Sequence, residues 1–296
     1  MSEQRKRKCG DRRDGRWVKD IPGLNTIMMH LYPNRTDCEV YLHDKLDVTE
    51  VMQFLERKNA SHPDYKTTIF HAMIIAIARM VKERHFMNRF VQGRRVYERN
   101  EISISFIAKR RFKDGSDEAV MFFVPKDEDN LDSLSWRISG QVREVRKSEH
   151  SNGGIDSTID SFAKIPRLLL MVVIRIIRWL DFWGINPKAL TDGDCNYSTV
   201  LLSNLGSIGG PAVYHHLNNY GTNSIMMTVG TVRKEEVVMP DGHKEIRDIL
   251  DVGVTLDERI ADGFYFVRSL KLLKHIFANP ELLDKPMSES SGFNYE

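Results

Sequence analysis

Apolar and polar positions recur along this chain with two periods, and the switches between them divide it into elements. Residues 38 to 46 alternate as a half-buried strand does, and Asp47, Thr49 and Glu50 supply helix-start chemistry for a helix running to about Lys58. From Thr68 to Arg84, Ile69, Phe70, Ala72, Met73, Ile75, Ala76, Ile77, Met80 and Val81 cover most of a helical wheel, which predicts a core helix buried on nearly all sides. Arg94 to Tyr97, then Ile102, Ile104, Phe106 and Ala108, and Ala119 to Val124 beyond an Asp114-Gly115 turn, predict paired strands. Leu131 to Lys147 returns to helical spacing, and Ser151 to Gly154 break it as a loop. After Pro187 the pattern is β again: Thr199 to Leu202, Ser224 to Val229, and a hairpin that turns at Pro240-Asp241-Gly242. In its second arm Leu250, Val252, Val254 and Leu256 alternate with Asp251, Gly253, Thr255 and Asp257, one core face and one polar face. A last helix carries Phe266, Val267, Leu270, Leu273 and Phe277 on one stripe and stops at Asn279-Pro280.

Residues 160–184 depart from this pattern. On a helical wheel Lys164, Arg167, Arg175, Arg178 and Asp181 fall on an arc of roughly 120°, and the rest of the circumference is apolar. Two environments suit such an amphipathic helix: protein on two sides, including across an oligomer interface, or a membrane surface with Trp179 and Trp183 at headgroup level. The longest unbroken apolar run, Leu168 to Ile174, is far short of the roughly 20 residues of a spanning helix.

Composition narrows the classes. The 296 residues carry 43 Lys plus Arg against 41 Asp plus Glu, so bulk charge points to no nucleic-acid partner. Residues 1–20 hold eight basic and four acidic residues and are expected to form a basic flexible arm. That stretch lacks the apolar segment of a secretory signal, and Cys9, Cys38 and Cys195 form no C-x-x-C pair, so a reducing cytoplasm is the default. The histidines have no metal-binding spacing, so no metal is expected. No low-complexity linker divides the chain; the expected organisation is one domain over 21–283, interrupted by an insertion at about 150–190, with a disordered tail at 284–296.

Two polar strand ends stand out. Ser203-Asn204-Leu205-Gly206-Ser207-Ile208-Gly209-Gly210 is neither G-x-G-x-x-G nor a Walker motif, so nucleotide binding through it is rejected. The other is Asp257 to Gly263, between a strand and the last helix. Together with the strand Ser224 to Gly230, the Asp241-Gly242 hairpin, the terminal Asn279-Pro280-Glu281-Leu282-Leu283, the helix near 68–84 and the Asn88 to Tyr97 turn and strand, they resemble one family. It is the catalytic domain of the 2-oxoacid dehydrogenase acyltransferases, shared with chloramphenicol acetyltransferase.

The resemblance implies an α/β fold of the chloramphenicol acetyltransferase-like kind, a mixed β-sheet packed with helices, and a trimer with sites between subunits, with further assembly of trimers in reach. It implies acyl-coenzyme A as a substrate. In that family a histidine of the Asp-His-Arg turn deprotonates an acceptor thiol or hydroxyl, and a serine from the neighbouring subunit hydrogen-bonds the oxyanion. By position Ser203 inherits the oxyanion role and Asp262 the carboxylate that holds the turn. Only about 20 residues precede the match, so no covalent lipoyl group is expected, and an acyl carrier or lipoyl protein would act in trans.

The departure is Glu258, at the position of the family's histidine. A carboxylate with a reference pKa of about 4.3 faces a thiol near 8.5, a gap roughly 2 units wider than for histidine and worth about a hundredfold in rate. Desolvation would narrow the gap, and adjacent Arg259 would widen it if the two side chains met. His215 and His216, past the glycine turn, are the alternative bases; Cys195 is not expected to be a nucleophile. Two functions stay open: an acyltransferase with a remodelled site, and a catalytically silent interaction trimer of the same fold, with membrane-surface contact through 160–184 as an addition to the second.

Overall fold

The computed structural model describes residues 7–61, 65–109, 118–147 and 164–295. A sheet of six strands runs in the order β2 (Glu39–Asp47), β9 (Lys244–Asp257), β8 (Ile225–Val238), β7 (Val200–Asn204), β5 (Ile104–Lys109), β6 (Glu118–Phe123). β5, β7 and β8 are parallel and the other pairings antiparallel, so the sheet is mixed. A second sheet of three strands, β1 (Gly15–Trp17), β4 (Arg95–Arg99) and β3 (Arg89–Gln92), stands beside it.

Helices α2 (Thr49–Ser61), α3 (Ile69–Glu83) and α7 (Gly263–Ala278) bury their apolar stripes against one face of the large sheet. α3 is its centre: every residue from Ala72 to Val81 is buried, as its wheel predicts. It starts without a carboxylate. The Nδ1 of His71 accepts the backbone N–H of Thr68 at 3.1 Å, so an imidazole does the work of the usual Glu or Gln in this capping box. α4 (Leu131–Lys147) packs beside α3, α1 (Gly23–Leu31) precedes β2, and α6 (Lys188–Thr191) is a single turn. The hairpin of β8 and β9 turns at Gly242, whose positive φ of 89° suits glycine.

The alternation predicted for β9 is present, with Leu250, Val252, Val254 and Leu256 in the core. Its polar set, however, is not solvated: Asp251, Thr255 and Asp257 are buried too. A segment of chain covers them. After β7 the residues Gly209 to Gly221 cross the outer face of the sheet as a strap, and Val213 lies over Gly253 so closely that a Cβ there would clash with its backbone. Thr228 fastens the strap, its hydroxyl accepting the Val213 N–H at 3.1 Å and donating to the Val213 carbonyl.

Both chain ends differ from the sequence reading. The arm is docked from Arg12 onward: β1 joins β4, and Arg12 is buried between Phe90, Tyr97 and the carboxylates of Asp14 and Asp181. The described part of the tail, 284–295, is held by α3. Arg79, a buried cation on an apolar helix, needs acceptors, and the carbonyls of Lys285, Pro286 and Glu289 supply them at 2.9 to 3.0 Å. Glu83 accepts both the N–H and the hydroxyl of Ser291 at 2.7 Å.

The predicted amphipathic helix is α5 (Arg167–Phe182); the Asp114-Gly115 turn, the Ser151 to Gly154 loop and residues 160–163 lie outside the described residues. Among the described residues α5 is covered along one stripe only, where Leu170, Val173, Ile177 and Leu180 are half-buried, and its other apolar side chains are open. Leu168 is 77% exposed and Trp179 60%, and Asp181 alone along the helix is buried.

Burial pushes the His71 imidazole down to about 4, below the about 6.5 of an unfolded histidine. Between these values the unfolded chain binds the proton and the folded chain does not, so this contribution is complete above pH 6.5 and is lost as pH falls toward 4. Urea midpoints measured across that range are expected to drop more steeply for wild type than for His71→Asn, which keeps an acceptor for Thr68 and cannot titrate.

Candidate active site

Each polar strand end is built by a short local network. Ser203 sits on β7 just before a one-turn helix at Gly206–Ile208. Asn204 caps that turn: its Oδ1 accepts the Ser207 N–H at 3.1 Å, and its carbonyl accepts the Ser207 hydroxyl at 2.9 Å. Gly206 lies against the backbone of Gly230, where a Cβ would not fit. Ser203 itself is half-buried, and its hydroxyl takes up no hydrogen bond among the described residues.

The second network surrounds Asp257, which has no solvent exposure. Its carboxylate accepts Nε and Nη2 of Arg259 at 2.8 and 2.7 Å and also the Arg259 backbone N–H at 3.2 Å. Arg35 Nε stands 3.7 Å away on the other side. Burial alone would lower the Arg259 guanidinium, but its bonds to Asp257 hold it above the ordinary value. Arg35, with burial and less compensation, is lowered.

With Asp257 and Arg259 turned inward, Glu258 points out. Its backbone N–H donates to the Cys38 carbonyl at 2.9 Å, and its side chain is exposed. The expected contest between Glu258 and Arg259 therefore does not arise, because Arg259 is spent on Asp257 and on the Tyr32 carbonyl at 2.9 Å. Nor does the chain's own fold desolvate Glu258. Asp262 caps α7, its Oδ1 accepting the Tyr265 N–H at 2.8 Å, which fixes the end of the turn.

Within one chain Ser203 and Glu258 are far apart. Ser203 is in register with Thr228 and Thr228 with Gly253, whereas Glu258 lies five residues further along. Two strand spacings of about 4.8 Å and five rises of about 3.3 Å separate them by roughly 19 Å. His215 and His216 are exposed on the strap with rings stacked at 4.8 Å, beside the Tyr41 and Tyr214 pair. Cys195 is elsewhere, and burial with the nearby Asp194 pushes its thiol up to about 11, so it is not a thiolate near neutral pH.

Sequence motifs mark Ser203, Glu258 and Asp262, whereas Arg35, Thr228 and the inward role of Arg259 show only in the fold. No local pattern marks them; Arg35 and Asp257 are 222 residues apart and meet only in the fold.

Residues 185–284 match the family model described as 2-oxoacid dehydrogenases acyltransferase (catalytic domain). Among solved structures, a probable dihydrolipoamide acetyltransferase from Listeria monocytogenes superposes with a TM-score of 0.59 at 19% identity, covering 90% of this chain and 96% of that one. The dihydrolipoamide acetyltransferase of Azotobacter vinelandii gives a TM-score of 0.60 at 16% identity, covering 90% and 94%. A chloramphenicol acetyltransferase gives 0.51 at 12% identity, covering 89% and 99%. The fold is therefore that of these acyltransferases, along nearly the whole chain. No curated protein sequence matches.

Removing one member of a buried ion pair strands its partners without solvent. Asp257→Ala is expected to cost about 3–5 kcal/mol in equilibrium urea unfolding, against under about 0.5 kcal/mol for Glu258→Gln at its exposed position.

Proposed function

We propose that this chain, similar to the 2-oxoacid dehydrogenase acyltransferase catalytic domain over residues 185–284 and sharing its fold, transfers an acyl group from a coenzyme A thioester to a small thiol or hydroxyl acceptor. The observation that carries the reading is the separation of the two polar strand ends. At roughly 19 Å, set by strand spacing and rise, Ser203 and Glu258 cannot serve one reacting carbonyl from one chain. Each is nonetheless held by a dedicated network and directed away from the core. A homotrimer in which Ser203 of one copy faces Glu258 of the next completes the site and supplies the desolvation that Glu258 lacks in the single chain.

In that site the Glu258 carboxylate accepts the acceptor's proton as its sulfur or oxygen attacks the thioester carbonyl. The Ser203 hydroxyl donates to the oxyanion, and collapse expels coenzyme A as a thiolate, to which the proton returns. Asp262 and the Asp257 to Arg259 pair hold the turn that aims Glu258. His215 and His216 are the alternative base. The acceptor is carried in trans, by an acyl carrier or lipoyl protein or as a free molecule.

A second reading concerns α5, and its exposure favours it. A helix of 16 residues with a broad exposed apolar surface, flanked by Arg167, Arg175 and Arg178 and bearing Trp179 near its end, suits the surface of an anionic bilayer. No helix among the described residues is long and apolar enough to cross a membrane. The protein then works in the cytoplasm, peripheral to the membrane.

Thiol release from acetyl-coenzyme A with a panel of thiol and hydroxyl acceptors tests the enzyme. Ser203→Ala is expected to lower kcat by about 10²–10³, and Glu258→His to raise it by about a hundredfold through the narrower pKa gap. Wild-type turnover indifferent to both would sink the assignment; no turnover by wild type with turnover by Glu258→His would make the natural protein the silent module. For α5, co-sedimentation with vesicles containing phosphatidylserine at low salt is expected, and to be lost in Leu168→Glu; wild type left in the supernatant would overturn the membrane reading.

A further inference from the structure

Where α5 meets the core, a cavity of about 210 Å³ opens between α1, the turn joining β3 to β4, the C-terminal end of α5 and the strap at Asn219 to Gly221. Its volume is below the about 300 Å³ at which drug-sized ligands begin to be enclosed, so it suits a small group. Four guanidinium side chains line it, those of Arg35, Arg94, Arg178 and Arg259. The carboxylates near them are Asp181, on the wall, Asp257, behind it, and Asp37, whose charge reaches Arg259. Arginines outnumber carboxylates, and the wall is left positive. Asp181 is moreover already engaged, by Arg12 Nη2 at 2.7 Å and by Gln92 Nε2 at 2.8 Å.

The four arginines are not equivalent. Arg35 and Arg259 form the base: both are buried and bonded to Asp257 or to backbone carbonyls, although the Nε of Arg35 has no hydrogen-bond partner. Among the described residues Arg178, on α5, has no carboxylate within reach, and the sole side-chain bond of Arg94 is to His30 Nδ1 at 3.2 Å. Arg94 also occupies an unfavourable backbone state. Gly93 and Arg94 both have φ near 58°, and among the described residues Arg94 is the one non-glycine with positive φ. Asparagine or glycine suits that position better. A long cation held in a strained turn beside a cavity with spare positive charge marks a site whose occupant repays the strain.

The geometry points to a binding site for a phosphoryl dianion, with Arg94 and Arg178 as the ligand-gripping pair and Arg35 and Arg259 as the fixed base. Planar guanidinium forks converging from two sides match the tetrahedral oxygens of a phosphate better than ammonium groups would. The positive excess favours an anion that offers several oxygens. Nothing in this cavity requires acyl transfer to take place.

Titration calorimetry of the full chain with inorganic phosphate, with thermal unfolding in parallel, tests it. Wild type is expected to bind phosphate and to gain in Tm with concentration. Arg94→Asn, whose turn conformation is relaxed, is expected to bind at least about tenfold more weakly while its ligand-free Tm stays at or above wild type, and Arg178→Ala to weaken binding comparably. Arg175→Ala, on the same helix but off the cavity, is expected to change neither. Coenzyme A and dephospho-coenzyme A distinguish the source: a preference for the former that Arg94→Asn abolishes assigns the phosphoryl group to the coenzyme, and equal binding of the two assigns it to a separate phosphate ester. Absence of phosphate binding by wild type, or binding unaltered in both Arg94→Asn and Arg178→Ala, would overturn the site.

Discussion

One desolvated carboxylate organises this molecule. Asp257 ends β9 with no exposure, and the two guanidinium groups that neutralise it, of Arg259 and Arg35, reach on to three further segments. Arg259 reaches on to the Tyr32 carbonyl at the end of α1. Arg35 reaches on to the carbonyls of Asn218 in the strap and of Val91 in β3 of the small sheet. The net stability from such a buried cluster is modest, because desolvation cancels most of the attraction. What it supplies is geometry: with three segments tied to one anion, the outward direction of Glu258 is fixed without any contact to its own side chain.

The strap depends on a different constraint, the absence of side chains. Gly206 against Gly230, Gly230 against Ala212, and Gly253 against Val213 are approaches that a Cβ would block. They let a polar strand face be roofed by backbone, with Thr228 and Glu39 accepting or donating to the strap where it crosses β8 and β2. This is why the alternating residues of β9 are buried on both faces, in a sheet whose outer side would otherwise be wet.

These two devices separate what the sequence makes legible from what it hides. α3, the hairpin and the last helix are legible because their periodicity is a direct record of burial. Ser203 and Asp262 are legible because each lies in a contiguous motif. Arg35 and Thr228 are not: the first is one arginine among many until the fold brings it beside Asp257, and the second reads as an ordinary strand residue until a strap crosses it. The tail shows the same limit. Met287 and Ser291 look solvated in a polar terminus, and only the buried Arg79, conspicuous on an otherwise apolar helix, hints that carbonyls must come from elsewhere.

The attachment of α5 has a thermodynamic consequence. The helix is fastened at its last turn, where Asp181 takes Arg12 and Gln92 and the backbone of Phe182 abuts Gly93. The same turn carries Arg178 to the cavity wall, and Gly93 is the neighbour of Arg94. Anything that settles the apolar length of the helix into one orientation therefore also settles one wall of the cavity, and anything that grips Arg178 restrains the helix. A surface bound along the helix and an anion bound in the cavity would therefore share one free energy of coupling, equal in both directions.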